Sequence, residues 1–153
     1  MDLNGRSLID YGAGSGVLAL AALKFGASAA VGTDTDELAV KAARRNALLN
    51  SVSERFAVVQ CGASLDSPEP LAAAGMPRDM KFDVVAANIL RGPLVELQPR
   101  LTAYAAPGAR LLLSGILADQ APEILEAYAA DFDDFEVKTD GSWACVQAVR
   151  KRA

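Results

Sequence analysis

The stretch Ile9-Asp10-Tyr11-Gly12-Ala13-Gly14-Ser15-Gly16 places an acid and three alternating glycines directly after a short apolar run. Asp34 follows 18 residues beyond the last of these glycines. Ser7 to Ile9 reads as a strand and Val17 to Phe25 as an apolar helix, with Gly26 a natural C-terminal stop. Ala29 to Thr33 reads as a second strand with Asp34 at its carboxyl end. Glycine tolerates positive φ and presents no Cβ to an approaching ligand. The first N–H groups of the helix have no internal partners and face whatever lies over the turn. Open α/β sheets bind ligands at this carboxyl edge, and an acid there can accept from both hydroxyls of a ribose.

Two ligand classes use such an edge. The dinucleotide fingerprint is G-x-G-x-x-G/A. Counted from Gly12, its last position falls on Val17, so the fingerprint fails. The match is to D-x-G-x-G-x-G, with Asp10 leading. An acid beside the turn suits a cationic ligand and repels a pyrophosphate.

The rest of the chain continues the alternation. Thr35 and Asp36 offer N-caps for a helix from Glu37 to Leu49, with Ala39, Ala43 and Ala47 on one face. Phe56 to Cys61 reads as a third strand, and residues 62 to 81 as a loop with one short helix at Leu71 to Ala74. Phe82 to Ala87 is apolar but for Asp83, a near-continuous run that suits a central strand buried on both faces, and ends at Asn88. Pro93 opens a helix to about Tyr104, and Pro107-Gly108 turns into a strand from Arg110 to Ser114, with Gly115 at its end. A helix over about Gln120 to Ala130 precedes Phe135 to Thr139, the turn signal Asp140-Gly141 and the strand Trp143 to Val149. Five βα units and a closing hairpin predict one domain over residues 1–153, a three-layer α/β sandwich.

Composition removes several chemistries. The 153 residues are 52% hydrophobic, enough for a real core. There is no histidine, and Cys61 and Cys145 lie far apart in apolar segments. Metal sites, Ser-His-Asp hydrolysis and Cys-His catalysis are disfavoured, and both cysteines are expected to be buried and reduced. Net charge is −4, with a basic run only at Arg150-Lys151-Arg152, so duplex nucleic acid is not the expected partner. No apolar run approaches the ~18 residues that span a bilayer, and Met1 to Arg6 shows no signal peptide.

Four segments carry a family resemblance: Asp10–Gly26, Val31–Asp36, Val85–Leu94 and Leu113–Ala118. The first two, with the closing hairpin, resemble class I S-adenosylmethionine-dependent methyltransferases. All four together resemble the catalytic domain of the methyltransferases of large-subunit ribosomal protein L-eleven. Asn88-Ile89-Leu90 followed by Gly92-Pro93-Leu94 is the most discriminating piece. The resemblance implies a Rossmann-like, mostly parallel seven-stranded sheet of order 3-2-1-4-5-7-6. It implies S-adenosylmethionine as cofactor, contacted by Gly12 and Asp34, with Gly14 and Gly16 completing the turn. Asn88 lies between cofactor and substrate, and Asp10 is expected near the methionine ammonium. The implied reaction is transfer of methyl groups to amino groups of a ribosomal protein by a cytoplasmic monomer, without a metal and without membrane attachment.

Asn88 also stands on its own chemistry. Its carboxamide can accept from an amine and donate to a cofactor, and its distance from Pro93 argues against a helix cap. Against the family pattern, an N-terminal recognition domain and a Gly-Thr-Gly-x-His-x-Thr-Thr segment are not among these residues, and Ala13 stands where cysteine is common. Other readings stay open: a methyltransferase for a small molecule, a glutamine side chain or RNA, a non-catalytic cofactor-binding module, or a dinucleotide oxidoreductase.

Overall fold

A computed structural model describes all of residues 1–153. The chain runs β1 (Ser7–Tyr11), α1 (Val17–Lys24), β2 (Ala29–Asp34), α2 (Glu37–Leu49), β3 (Phe56–Gln60), α3 (Pro70–Ala73), β4 (Phe82–Asn88), α4 (Arg91–Glu96), α5 (Gln98–Tyr104), β5 (Ala105–Leu117), α6 (Ala121–Tyr128), β6 (Phe132–Asp140) and β7 (Trp143–Arg150). The seven strands form one sheet in the order β3-β2-β1-β4-β5-β7-β6. Strands β1 to β5 pair in parallel, and β7 runs antiparallel to both its neighbours. This is the Rossmann-like architecture the sequence pointed to.

Strand alternation sorts the core onto two faces. On β1, Leu8 joins Ala19, Ala22, Val40, Ala43 and Phe56 beneath α1 and α2. Its neighbour Ile9 joins the larger cluster on the opposite face, with Val85, Leu94, Leu111, Ile124 and Val146. Asp36 caps α2, its Oδ1 accepting from Leu38 N at 2.9 Å. The buried face of that helix is Val40, Ala43 and Ala47; of the expected alanine line only Ala39 is not fully buried.

Several boundaries differ from the sequence reading, each for a local reason. The single helix expected from Pro93 to Tyr104 is two. The first begins at Arg91, with Pro93 as its third residue. It stops at Leu97, whose ψ of 4° takes the chain out of the helix ahead of Pro99. Proline has no N–H to donate to Val95, so a continuous helix would lose that bond and clash. Strand β5 is longer than Arg110–Ser114 because Pro107 and Gly108 form a bulge in the pairing with β4, where register slips between Phe82 and Val84. Gly115 lies inside β5 with φ of +81°, at a second register shift against β7. Strand β6 likewise starts earlier, passing through a bulge where Asp134 takes φ of +51°.

The two cysteines are free and only half-buried, against the expectation of full burial. Cys61 falls just past β3, where the chain leaves the sheet. Cys145 lies on the α1 side of β7, away from the strands β1, β2 and β3 against which α1 and α2 mainly pack. A groove of about 430 Å³ runs there, walled by Leu18 of α1, by Phe25 just past its end, and by Leu112 and Cys145.

Candidate active site

Strands β2, β1 and β4 are adjacent and parallel, with Tyr11 level with both Thr33 and Ala87. The next residues of each strand therefore meet at one level: Gly12, Asp34 and Asn88. All three line a cleft of about 420 Å³, together with Tyr11, Thr35, Cys61, Gly62, Ala63, Ile89, Leu90, Pro93 and Leu97.

Of the glycine turn, Gly12 lines the cleft, while Gly14 and Gly16 do not. Gly12, Gly14 and Gly16 all take positive φ, at 78°, 56° and 84°. Their surroundings separate their duties. A Cβ on Gly12 would sit 2.4 Å from Cγ2 of Ile89, so a side chain there would collide across the cleft. A Cβ on Gly14 would meet nothing within 4 Å, which leaves the backbone there open to a ligand. A Cβ on Gly16 would press on the Phe56 ring at 2.9 Å, so this glycine serves helix–sheet packing.

The turn is stitched to β2. Gly12 N and Ala13 N donate to Thr33 O at 2.9 and 2.7 Å. Gly14 N donates to Asp34 Oδ2 at 2.8 Å, and Asp36 N to Asp34 Oδ1 at 3.0 Å. Each carboxylate oxygen keeps a further lone pair. Asp34 is thus fixed by two backbone bonds and can still accept from a vicinal diol, as a ribose-reading acid must.

Asp10 does not line the cleft. It is buried on β1 behind the turn, and its Oδ2 accepts from Ala19 N, in the first turn of α1, at 3.3 Å. Its Oδ1 is buried with no partner. Burial pushes its carboxyl up to about 6, the bond from Ala19 pulls it down, and the charge of Asp34 adds to the rise. A cation placed over the turn lies in the field of two carboxylates, one of them incompletely compensated. That donor set fits a cationic nucleoside better than a phosphate-bearing one.

Asn88 ends β4, level with Ser114 of β5, and is exposed. The helix that follows starts at Arg91 with no side-chain cap, so Asn88 is not capping it. Gly115 makes room for it: a Cβ there would come within 2.9 Å of Asn88 Oδ1 and 2.7 Å of Ile89 O. On its other flank Asn88 lines a second cavity, of about 450 Å³, with Ile89, Leu90, Ser114, Gly115 and Trp143. Asn88 therefore borders both spaces, and it also lines the groove on the α1 side.

Sequence reasoning missed Trp143. It opens β7 after the Gly141-Ser142 turn, opposite Leu117, and is 58% exposed. A tryptophan placed directly after a hairpin turn was the available signal. Tyr11 was also missed, because β1 is two residues longer than read and carries Tyr11 to the cleft floor.

Sheet order, a glycine turn, an acid at the carboxyl end of β2 and the closing antiparallel hairpin together define a Rossmann-like methyltransferase domain. Comparison with known proteins narrows the class. The family model described as ribosomal protein L11 methyltransferase (PrmA) matches residues 1–151, and the chain belongs to that family. It is 52% identical over 128 residues to the ribosomal protein L11 methyltransferase of Chromohalobacter salexigens, covering 84% of this chain and 39% of that protein. It is 42% identical over 151 residues to that of Actinobacillus pleuropneumoniae, covering 99% and 47%. The crystal structure of ribosomal protein L11 methylase from Lactobacillus delbrueckii subsp. bulgaricus superposes with a TM-score of 0.80 at 32% identity, over 97% of this chain and 72% of that one. The chain spans less than half the length of these two curated relatives.

Proposed function

We propose that this domain binds S-adenosylmethionine and transfers its methyl group to amino groups of a protein, a ribosomal protein of the large subunit. The carrying observation is the position of Asn88 between the cleft walled by Gly12 and Asp34 and the cavity walled by Trp143. Membership of the ribosomal protein L11 methyltransferase family supports the substrate class. No helix is long and apolar enough to cross a membrane, and a cytoplasmic, monomeric enzyme with residues 1–153 as its cofactor-binding domain is part of this reading.

Each residue has a task. Asp34 accepts from the ribose hydroxyls. Gly12 and Gly14 allow close approach of backbone, and Asp10 supplies negative field beneath the methionine ammonium. The bound cofactor supplies an electrophilic methyl on a good leaving group, so the protein mainly aligns groups already reactive. The acceptor amine has a reference pKa of ~10.4, and neutralising it near pH 7.4 costs about 4 kcal/mol. Leaving water for the cavity beside Trp143, next to a positive charge, lowers that pKa. Asn88 Oδ1 accepts one amine N–H and so orients the lone pair. The chain has no histidine, so solvent receives the proton.

The test is incorporation of labelled methyl from S-adenosylmethionine into large-subunit ribosomal proteins. Label on one protein, lost in Asn88→Ala with cofactor binding retained, supports the assignment. Label on ribosomal RNA, or none from a protein that binds the cofactor, overturns it.

A further inference from the structure

Arg100 is the only basic side chain buried in the protein, at 8% exposure. It stands on α5, and no carboxylate lies within ion-pair distance. Its guanidinium instead donates to four oxygens. Nη1 reaches the Tyr11 hydroxyl at 3.2 Å and Ser64 O at 3.3 Å. Nη2 reaches Leu65 O at 3.3 Å and Ser67 O at 2.9 Å. Withdrawing a guanidinium from water is expensive, and its bonds must offset that cost. Here they are spent on an irregular loop and on one residue of β1.

That loop is the cleft wall facing the glycine turn. Between Gln60 and Pro70 it has no helix or strand, yet Cys61, Gly62 and Ala63 line the cleft. It is folded on itself: a Cβ on Gly62 would overlap Ser67 Oγ at 2.1 Å. Holding Ser67 O therefore holds Gly62. Glu69 pins the far end, accepting from Leu71 N, Ala72 N and the Tyr104 hydroxyl. Cys61 N donates to Asp34 O at 2.9 Å, which joins the loop to the ribose-facing acid. The fourth bond ties the same guanidinium to Tyr11, next to Gly12. One planar, rigid donor group thus spans both walls.

We propose that Arg100 is a positioning residue for the cofactor, a clamp that fixes the Cys61–Glu69 loop against Tyr11 and so sets the width of the nucleoside end of the cleft. The proposal rests on the cofactor reading above. Methionine at this position keeps length and removes every donor. Lysine keeps charge and up to three donors but not the fork.

The experiment titrates S-adenosylhomocysteine by calorimetry into wild type, Arg100→Met and Arg100→Lys, with amide hydrogen exchange on each protein alone. The expected result is at least tenfold weaker binding for Arg100→Met, an intermediate loss for Arg100→Lys, and faster exchange confined to residues 62–69. A general packing role would speed exchange across the sheet and leave the affinity of the folded protein unchanged, which overturns the proposal. Unchanged exchange in the loop also overturns it. If Arg100→Met does not fold, Arg100→Lys decides: faster loop exchange with at least threefold weaker binding supports the clamp, and wild-type values overturn it. Absence of binding by folded wild type overturns the cofactor reading and this proposal with it, whereas wild-type binding matched by Arg100→Met overturns the clamp alone.

Discussion

Asp10 gives a prediction with a calculable size. Its carboxylate is buried at 1% exposure with one bond at 3.3 Å and one orphaned oxygen, and that burial pushes its pKa up to about 6 from 3.8. Because the folded value is raised, the unfolded chain ionises first. The contribution of Asp10 to stability is full below pH 3.8 and is lost as pH rises through about 6. A shift of roughly two units corresponds to roughly 3 kcal/mol of penalty at pH 7.5. Asp10→Asn removes the charge and keeps an acceptor for Ala19 N–H, at the loss of a charge-assisted bond of about 1 kcal/mol. The variant should therefore be more stable than wild type by about 1–2 kcal/mol at pH 7.5. That advantage should vanish by pH 4. Urea unfolding of both proteins at pH 4, 5, 6 and 7.5 measures this directly. A stability difference that does not change with pH would refute the claim that Asp10 is a desolvated, under-compensated charge.

Other expectations follow from the same geometry. If an ionised Asp10 supports the cofactor's ammonium, affinity for S-adenosylmethionine should fall about tenfold between pH 7 and pH 5; titration at the two pH values with Asp10→Asn as control checks it, since the variant should show no such dependence. Gly12→Ala puts a methyl 2.4 Å from Ile89 Cγ2 at φ of +78°, and should destabilise by about 1–3 kcal/mol and weaken cofactor binding; calorimetry and denaturant unfolding read the two effects, and a wild-type result in both would show that the cleft mouth is wider than described. Asn88→Ala should lower kcat by about tenfold or more and leave cofactor affinity within about twofold; a collapse of affinity with the fold intact would make Asn88 a cofactor ligand only.

Much of this architecture was legible because local signals agreed with one another. Three glycines, the apolar run after them and Asp34 fixed the first βαβ unit, and Asp140-Gly141 announced the hairpin. The misread boundaries are places where distant pairing overrides local propensity. Pro107-Gly108 looks like a turn, yet pairing of Ala105 and Arg110 with β4 on either side draws it into a strand as a bulge. Pro99 breaks a helix in the middle of what reads as one periodic segment. The cleft edges were readable since Gly12, Asp34 and Asn88 all sit at strand ends. Arg100 was not. It is 89 positions from Tyr11, and nothing in Gln98-Pro99-Arg100-Leu101 distinguishes a buried guanidinium from a solvated one. Asp10 was legible as a member of the turn motif, but its burial depends on β1 extending to Tyr11 and on the approach of α1.

The central claim is that the cleft between Gly12, Asp34 and Asn88 binds the cofactor through its ribose. Titration of S-adenosylmethionine into wild type and Asp34→Ala by calorimetry tests it most directly. The account predicts saturable binding to one site in wild type and at least tenfold weaker binding in the variant, with both proteins folded. Equal affinity in the two proteins, or no binding by folded wild type, would contradict it.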